Sequence, residues 1–456
     1  MSLEPGGIYA YMAFLYRNYF RSELIMKRNI IKPSILPGFM ELLPKEQQIF
    51  NDIVSKITKV YEDNGCLAID TPIIEKAEVL LAKRGGETEK QVYSFQKGKI
   101  NLALRFDLTV PFARYVAQYY NNLVFPFKRY QIGKVYRGER NQKGRYREFY
   151  QCDIDVIGKG ELSIDNDAWV ISLASKAFKS IGLPNYKFQL SNRKILKGVL
   201  SKLKIENINE VMILIDKYDK IGKEVFTSEL ENLIGSEKSE YINRILDING
   251  SNEKILEYLF NLNIENEYFI EGLKELKKVK LMLEILGVND DEFKINLKII
   301  RGLDYYTGTV FETTLVGNES YGSICSGGRY DNLAEKYTDN ILPGVGISIG
   351  LTRLFFVLKE IGFINNYSIE NRIDYLILPI GETMEYCGEV LKSLNEKGYK
   401  ATIYFEDDSL KKKMNYANKL GVSNVILIGE EEVEKDTVKV KDMNSGDTIS
   451  VNYKLI

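Results

Sequence analysis

Residues 128–158 read KRYQIGKVYRGERNQKGRYREFYQCDIDVIG, and the fold turns on how this stretch pairs. From FPFKRYQIGKVYRGER to RYREFYQCDIDVIG, two segments of alternating apolar character flank a polar loop, the pattern of two antiparallel strands. Eight basic residues crowd the stretch from Lys128 to Arg147: Lys128, Arg129, Lys134, Arg137, Arg140, Lys143, Arg145 and Arg147. Glu139 is its one acid. On a strand Arg137 and Glu139 point to the same face. An inward-facing arginine is costly to desolvate unless something anionic meets it. A guanidinium beside Gly138 and Gly144 suits phosphate, because its donors form a planar fork and the glycines let backbone approach. A solvated hairpin with surface charges is the plainer alternative.

Other phosphate-binding signatures are missing. GxxxxGK[ST] does not occur, and neither Gly85-Gly86 nor Gly327-Gly328 fits GxGxxG after a strand. A nucleotide site in this chain is therefore expected on antiparallel strands with arginine clamps.

Composition narrows the chemistry further. The 456 residues suggest about two to four domains. A formal net charge of −1 gives no global pull toward a polyanion, so any nucleic-acid site has to come from local basic clusters. The four cysteines, Cys66, Cys152, Cys325 and Cys387, are scattered without a CxxC, which fits small packing residues in a reducing cytosol. There is no histidine, which excludes a Ser-His-Asp triad, a histidine base and histidine metal ligands. Catalysis is left to carboxylates, arginines, backbone dipoles and a carboxylate- or phosphate-held Mg²⁺, with no side chain singled out as a metal ligand. No run of about 20 apolar residues spans a membrane. Residues 1–33 are aromatic, broken by Arg17 and Arg21, and read as an N-terminal extension, a tag or an upstream start, not a signal peptide.

Outward from the opening stretch, Lys45 to Asn64 carries apolar residues at helical spacing and stops at Gly65. CLAIDTPII reads as a strand, VYSFQ and INLALRF as a hairpin, Val110 to Tyr120 and Asp165 to Ile181 as helices. Between about 197 and 289 glycine thins out and Lys, Glu, Asn, Ile and Leu recur at helical period, as in an inserted helical module. Strands resume at INLKII. From about 370 to 456, RIDYLILPI, GYKATIYFE and NVILIG alternate with helical patterns, a small α/β domain.

The motifs themselves resemble a known family. VYRGERNQKGRYREFYQCDID is similar to motif 2, and PGVGISIGLTRLFFVL to motif 3, of class II aminoacyl-tRNA synthetases. RGLDYYTGTVFE and SICSGGRYDNL resemble the two signature peptides of the histidyl-tRNA synthetase family. LRFDLTVPFARY resembles its amino-acid-binding segment, and SLKKKMNYANKLGVSNVILIGEEE its anticodon-binding domain. The resemblance runs from about residue 34 to the C-terminus.

It implies an α/β (α+β) fold, an antiparallel sheet flanked by helices. The expected parts are catalytic segments at 34–196 and 290–366, a helical insertion at 197–289 and a C-terminal anticodon-binding domain at 370–456. It also implies a cytoplasmic homodimer, paired through about Pro37 to Pro72, that uses ATP and Mg²⁺ to join L-histidine to tRNA(His). Arg137 and Arg301 match the arginines on either side of the α-phosphate, and Arg353 the motif 3 arginine at adenine and the γ-phosphate. Glu139 matches the acceptor for the adenine amino group, Phe149 the stacking ring and Arg145 the arginine at the outer phosphates. Asp107, Thr109 and Gln151 match positions at the amino-acid backbone. Asp155 and Tyr306, with Tyr305 beside them, match positions that read the imidazole. Arg140 and Gln142 match positions that meet the tRNA acceptor end. Asp107 and Asp155 stand where bacterial members usually carry glutamate, and in this the segments look closer to the eukaryotic and archaeal branch. Asp107 also reads as an N-cap for the following helix, and the two roles are compatible. A regulatory paralogue that senses histidine beside a phosphoribosyltransferase is the alternative, but such chains lack the C-terminal domain and the catalytic arginines.

Overall fold

The computed structural model describes residues 31–82, 87–140, 143–300, 305–368 and 373–456, excepting the side chains of Glu87 and Thr88. The chain divides between Ile364 and Asn365 into two compact units. The larger holds β1 (Leu67–Ala68), β2 (Ile74–Lys76), β3 (Ser94–Lys97), β4 (Ile100–Leu104), β5 (Phe127–Tyr136), β6 (Glu148–Ile157), β7 (Tyr186–Asn192), β8 (Phe293–Ile295), β9 (Thr309–Leu315), β10 (Cys325–Tyr330) and β11 (Gly344–Gly350). Eight of them form one sheet in the order β1-β5-β6-β11-β10-β9-β7-β8. The six central strands are antiparallel to their neighbours, and only the short edges β1 and β8 run parallel to theirs.

The opening stretch forms β5 and β6, paired from Phe127↔Ile157 to Tyr136↔Glu148. β5 stops at Tyr136, one residue earlier than a strand through Arg137 requires. There the Gly138 N–H turns to the Gln91 carbonyl at 2.7 Å.

The helix Pro44–Asp63 packs Ile49, Phe50, Ile53, Ile57 and Tyr61 inward at helical spacing, opens with proline in its first turn and is followed by Gly65 at φ +80°. CLAIDTPII does not form one strand. Pro72 has no N–H for a ladder, so the run splits into β1, beside β5, and β2, which joins β3 and β4 in a separate three-stranded sheet. INLKII is also cut short. The Asn296 side chain accepts from the Lys298 N–H at 3.1 Å, an Asx-type turn that takes the chain off the sheet after Ile295. Between β7 and β8 the chain is helical from Arg193–Lys202 to Glu267–Ile285.

The smaller unit is a five-stranded sheet. β12 (Tyr375–Pro379), β13 (Ala401–Ile403) and β14 (Asn424–Ile428) are parallel, as the three buried-type runs predict. A hairpin of β15 (Val438–Asp442) and β16 (Thr448–Val451), which those runs do not reveal, completes it. Successive residues of β12 serve opposite cores, Ile377 with Val390 and Leu376 with Ala417.

In the larger unit one ion pair ties the helix Asp165–Ser180 to the sheet. Arg329 on β10 gives Nη2 to Asp167 at 2.7 Å and Nε at 3.1 Å, and its remaining donors reach the Leu162 and Ser163 carbonyls. Asp167 is wholly buried and Arg329 nearly so. Asp167→Ala would leave an uncompensated guanidinium in the core and is expected to cost about 3–5 kcal/mol. Urea unfolding followed by a probe in the larger unit should show an earlier midpoint, with the smaller unit's transition unmoved.

Candidate active site

The sheet's site face is built from alternation. On β6, Phe149, Gln151, Asp153 and Asp155 share one side, opposite Val135, Gly133, Gln131 and Arg129 of β5. On β11 the same row continues as Gly350, Ser348 and Gly346, and on β10 as Ser326 and Gly328. The large residues between them, Val345, Ile347 and Ile349, are buried. Small residues on one side of two central strands therefore leave room above the sheet. The room is already in use: a Cβ on Gly346 would stand 2.0 Å from Asp155 Oδ1, and one on Gly328 3.0 Å from the Tyr306 ring.

Above this floor lies a cleft of about 410 Å³. Ten of the fourteen residues singled out from sequence line it: Asp107, Thr109, Arg137, Glu139, Arg145, Phe149, Gln151, Tyr305, Tyr306 and Arg353. Asp155 lies beneath, in a small adjoining cavity that shares Thr109, Tyr306 and Ser348 with the cleft. Arg140 is exposed and is not among the cleft's lining residues. Arg301 and Gln142 lie outside the described residues.

One end of the cleft is cationic. The Arg137 guanidinium sits 4.4 Å from the Phe106 ring centre and 5.0 Å from that of Phe149, and its Nε donates to the Phe106 carbonyl at 3.1 Å. Arg353, in the first turn of the helix Leu351–Glu360, donates to the carbonyls of Gly144 and Ser323 at 3.1 and 3.0 Å. Burial, reinforced by the charge of Arg145, lowers the proton affinity of Arg353, so an arriving anion relieves it. Glu139 accepts from Arg145 at 3.2 Å. Glu312 lines the same cleft.

The other end is acidic and aromatic. Asp107 does cap the following helix, accepting the Val110 N–H at 2.9 Å, and still lines the cleft. Gln151 donates to Ser348 Oγ at 2.6 Å, which leaves its own carbonyl oxygen without a partner. Asp155 is held from two sides, by Arg129 Nη2 at 2.5 Å and by the Tyr330 hydroxyl at 2.7 Å. Tyr305 and Tyr306 meet edge to face at 4.9 Å. Burial raises the proton affinity of both phenols, so both remain donors at neutral pH. One cleft thus pairs a cationic end, fit for phosphates, with a buried polar end, fit for a small zwitterion carrying a polar ring.

The family model for histidyl-tRNA synthetase matches residues 38–354, and that for the anticodon binding domain residues 374–454. The chain belongs to the histidyl-tRNA synthetase family. A histidine--tRNA ligase of Clostridium acetobutylicum is 64% identical over 428 residues, covering 94% of this chain and all of the relative. That of Clostridium tetani is 50% identical over 94% of this chain and 98% of its own. The crystal structure of histidyl-tRNA synthetase from Nostoc sp. PCC 7120 superposes with a TM-score of 0.84 at 37% identity, covering 93% of this chain and 98% of that one.

Sequence reasoning missed Asp153, Ser348, Ser326, Glu312 and Tyr330, and the insertion residues Asp216 and Lys220 that also line the cleft. For the serines a signal existed in GVGISIG, where small residues alternate strictly with large ones. For Asp216 and Lys220 no local pattern marks them.

Burial raises the Asp153 carboxyl from 3.8 to about 7, with Asp155 adding to the shift and Arg129 opposing it. The folded state therefore holds this proton more tightly than the unfolded one, and the stability it lends is present below about pH 4 and lost as pH rises to about 7. Because the chain has no histidine, nothing of its own except the α-amino group ordinarily titrates nearby. Potentiometric difference titration of the ligand-free protein against Asp153→Asn should reveal one proton released near pH 7.

Proposed function

We infer that this chain is an aminoacyl-tRNA ligase that activates L-histidine with ATP and transfers it to the 3′ end of tRNA(His). The observation that carries this reading is the convergence of Arg137, Arg353, Glu139 and Phe149 with Asp107, Gln151 and Tyr306 in one cleft of a chain in this family. The cationic end takes ATP and the buried polar end takes histidine.

In the first step a histidine carboxylate oxygen attacks the α-phosphorus. The bond to the bridging oxygen breaks, and pyrophosphate leaves. Negative charge grows on the α-phosphate, so the protein's task is to place two anions in line and meet that charge. Arg137 does so from the β5 end, where its two aromatic neighbours keep the guanidinium from turning away. Arg301, which precedes Tyr305 and Tyr306 by a few residues, is assigned the opposite side. Arg353 and Arg145 receive the outer phosphates, Phe149 the adenine ring, and Glu139 its amino group. Mg²⁺ suits this cleft as an ion carried in by the phosphates, with the Glu312 carboxylate as a hard oxygen ligand. It would neutralise charge on the leaving pyrophosphate. At the other end Asp107 and Thr109 hold the ammonium group, Gln151 lies alongside the carboxylate, and Asp155 with Tyr306 faces the ring. In the second step a terminal ribose hydroxyl of tRNA attacks the activated carbonyl and AMP leaves. Arg140 and Gln142 are assigned to the acceptor end.

The parts follow the same reading: catalytic segments at 34–196 and 290–366, the helical insertion at 197–289 and an anticodon-reading domain at 370–456. A second copy is proposed to cover the Pro37 to Pro72 region, where Leu43 and Leu67 stand largely exposed. Among the described residues no helix is long and apolar enough to cross a membrane. With scattered buried thiols this suits work in the cytoplasm. A regulatory histidine sensor is the second reading. An "ATP phosphoribosyltransferase regulatory subunit/histidyl-tRNA synthetase" of Bacillus halodurans shares 21% identity and a TM-score of 0.74, which speaks for the fold alone. The ATP-end arginines and the anticodon-type domain favour the enzyme.

Pyrophosphate exchange with ATP is expected with histidine and not with other amino acids. Arg137→Ala and Arg301→Ala should each lower its kcat by about 10²–10³-fold. Histidine binding without exchange would favour the sensor.

A further inference from the structure

Among the described residues lining the small cavity beside the cleft, Asp153 is the one carboxylate with an oxygen left bare. It is 1% exposed, and its Oδ1 has no hydrogen-bond partner. It lines the small cavity together with Asp155, Tyr306 and Ser348. Asp155 spends one oxygen on Tyr330 and the other on Arg129. Gln131, directly across from Asp153 on β5, spends its amide on Asp70 and Thr71 at 2.8 and 3.2 Å. A buried carboxylate kept only for structure is normally paired on both oxygens.

We propose that Asp153 is a further specificity residue for histidine, its Oδ1 accepting the N–H of the substrate imidazole while the Tyr306 hydroxyl donates to the other ring nitrogen. This rests on the histidine-activating reading above. A neutral imidazole carries one donor and one acceptor, and the cavity offers one bare acceptor and one phenol to match them. A ring lacking the N–H leaves the carboxylate unpaired, a penalty that hydrophobic pockets cannot impose.

The groups around Asp153 are Arg129 from β5, Asp155 from β6, Asp107 ahead of the helix Thr109–Gln118, Tyr306 ahead of β9, and Ser348 from β11, whose hydroxyl hydrogen-bonds the carboxylate. Tyr61, Cys152, Cys325 and Tyr330 adjoin from the helix Pro44–Asp63, β6 and β10, and burial keeps all four protonated at neutral pH. Protons and the substrate N–H therefore compete for Asp153 itself, with Arg129 as the fixed positive charge beside it.

The experiment is histidine-dependent pyrophosphate exchange from pH 6 to 8.5 on the full chain and on Asp153→Asn, with Asp153→Ser as a second non-titrating variant should the first not fold. Protonation of free histidine affects all proteins alike, so the ratio of wild-type to variant kcat/KM isolates Asp153. The ratio should be about 10–100-fold at pH 8, the loss of a charge-assisted hydrogen bond, and fall about tenfold by pH 6. KM for ATP should change less than twofold. A ratio that stays the same at every pH, or a KM for ATP that rises in step, would overturn the role of Asp153. No histidine-dependent exchange in the wild-type protein would overturn the functional reading instead.

Discussion

The interaction on which the site depends is the contact between Arg129 and Asp155. Arg129 is fully buried, lies over the Phe112 ring at 4.3 Å and meets Asp155 across the β5–β6 ladder. Its Nη2 also approaches the Leu108 carbonyl, just ahead of the helix that carries Thr109. One guanidinium thus fastens two strands and a helix start beneath the acidic end of the cleft. Three carboxylates, Asp107, Asp153 and Asp155, gather within its field. Without a fixed positive charge, that many acids could not be buried together. With it, the burial that pushes the Asp153 and Asp155 carboxyls toward neutrality is partly opposed.

The sheet uses its other face for the opposite purpose. Arg329 points away from the cleft and is saturated by Asp167 and two carbonyls, so its charge is spent on holding a helix. Two buried arginines on neighbouring parts of one sheet therefore differ in how completely they are paired. The saturated one is structural. The one with bare Nε and Nη1 lies beside Asp153 and Asp155, at the acidic end of the cleft. Incomplete pairing, more than burial, separates the functional side from the supporting side.

Much of this was legible in the sequence, and for physical reasons. β5, β6 and the helix Pro44–Asp63 follow from periodicity, because each buries one face. The cationic end follows from a density of arginine that solvent-facing hairpins do not need. The breaks after Ala68 and Ile295 come from a missing N–H and a competing side-chain bond, effects of single residues inside otherwise strand-like runs. Asp153 escaped because its meaning depends on what its neighbours fail to do: Gln131 turns to Asp70 and Asp155 is already bonded twice. Asp216 and Lys220 escaped because only the folded path of the insertion brings them to the cleft. The hairpin of β15 and β16, rich in lysine and exposed at its edge, lacks the apolar run that betrays β12 to β14.

Strand order carries a consequence for how the protein is made. β6 pairs with β11, where Gln151 meets Gly350, a partner 199 residues later in the chain (350 − 151). At roughly 5–20 residues per second, a ribosome needs roughly 10–40 s to deliver that partner. Until then β6 is an open edge on that side, while the helix Glu267–Ile285 can already pack on the helix Asp165–Ser180 and β7. Asp153 and Asp155 line that waiting edge, and charge on an open strand discourages pairing with another nascent chain. The two carboxylates thus weigh against a wrong partner for β6 until β11 arrives.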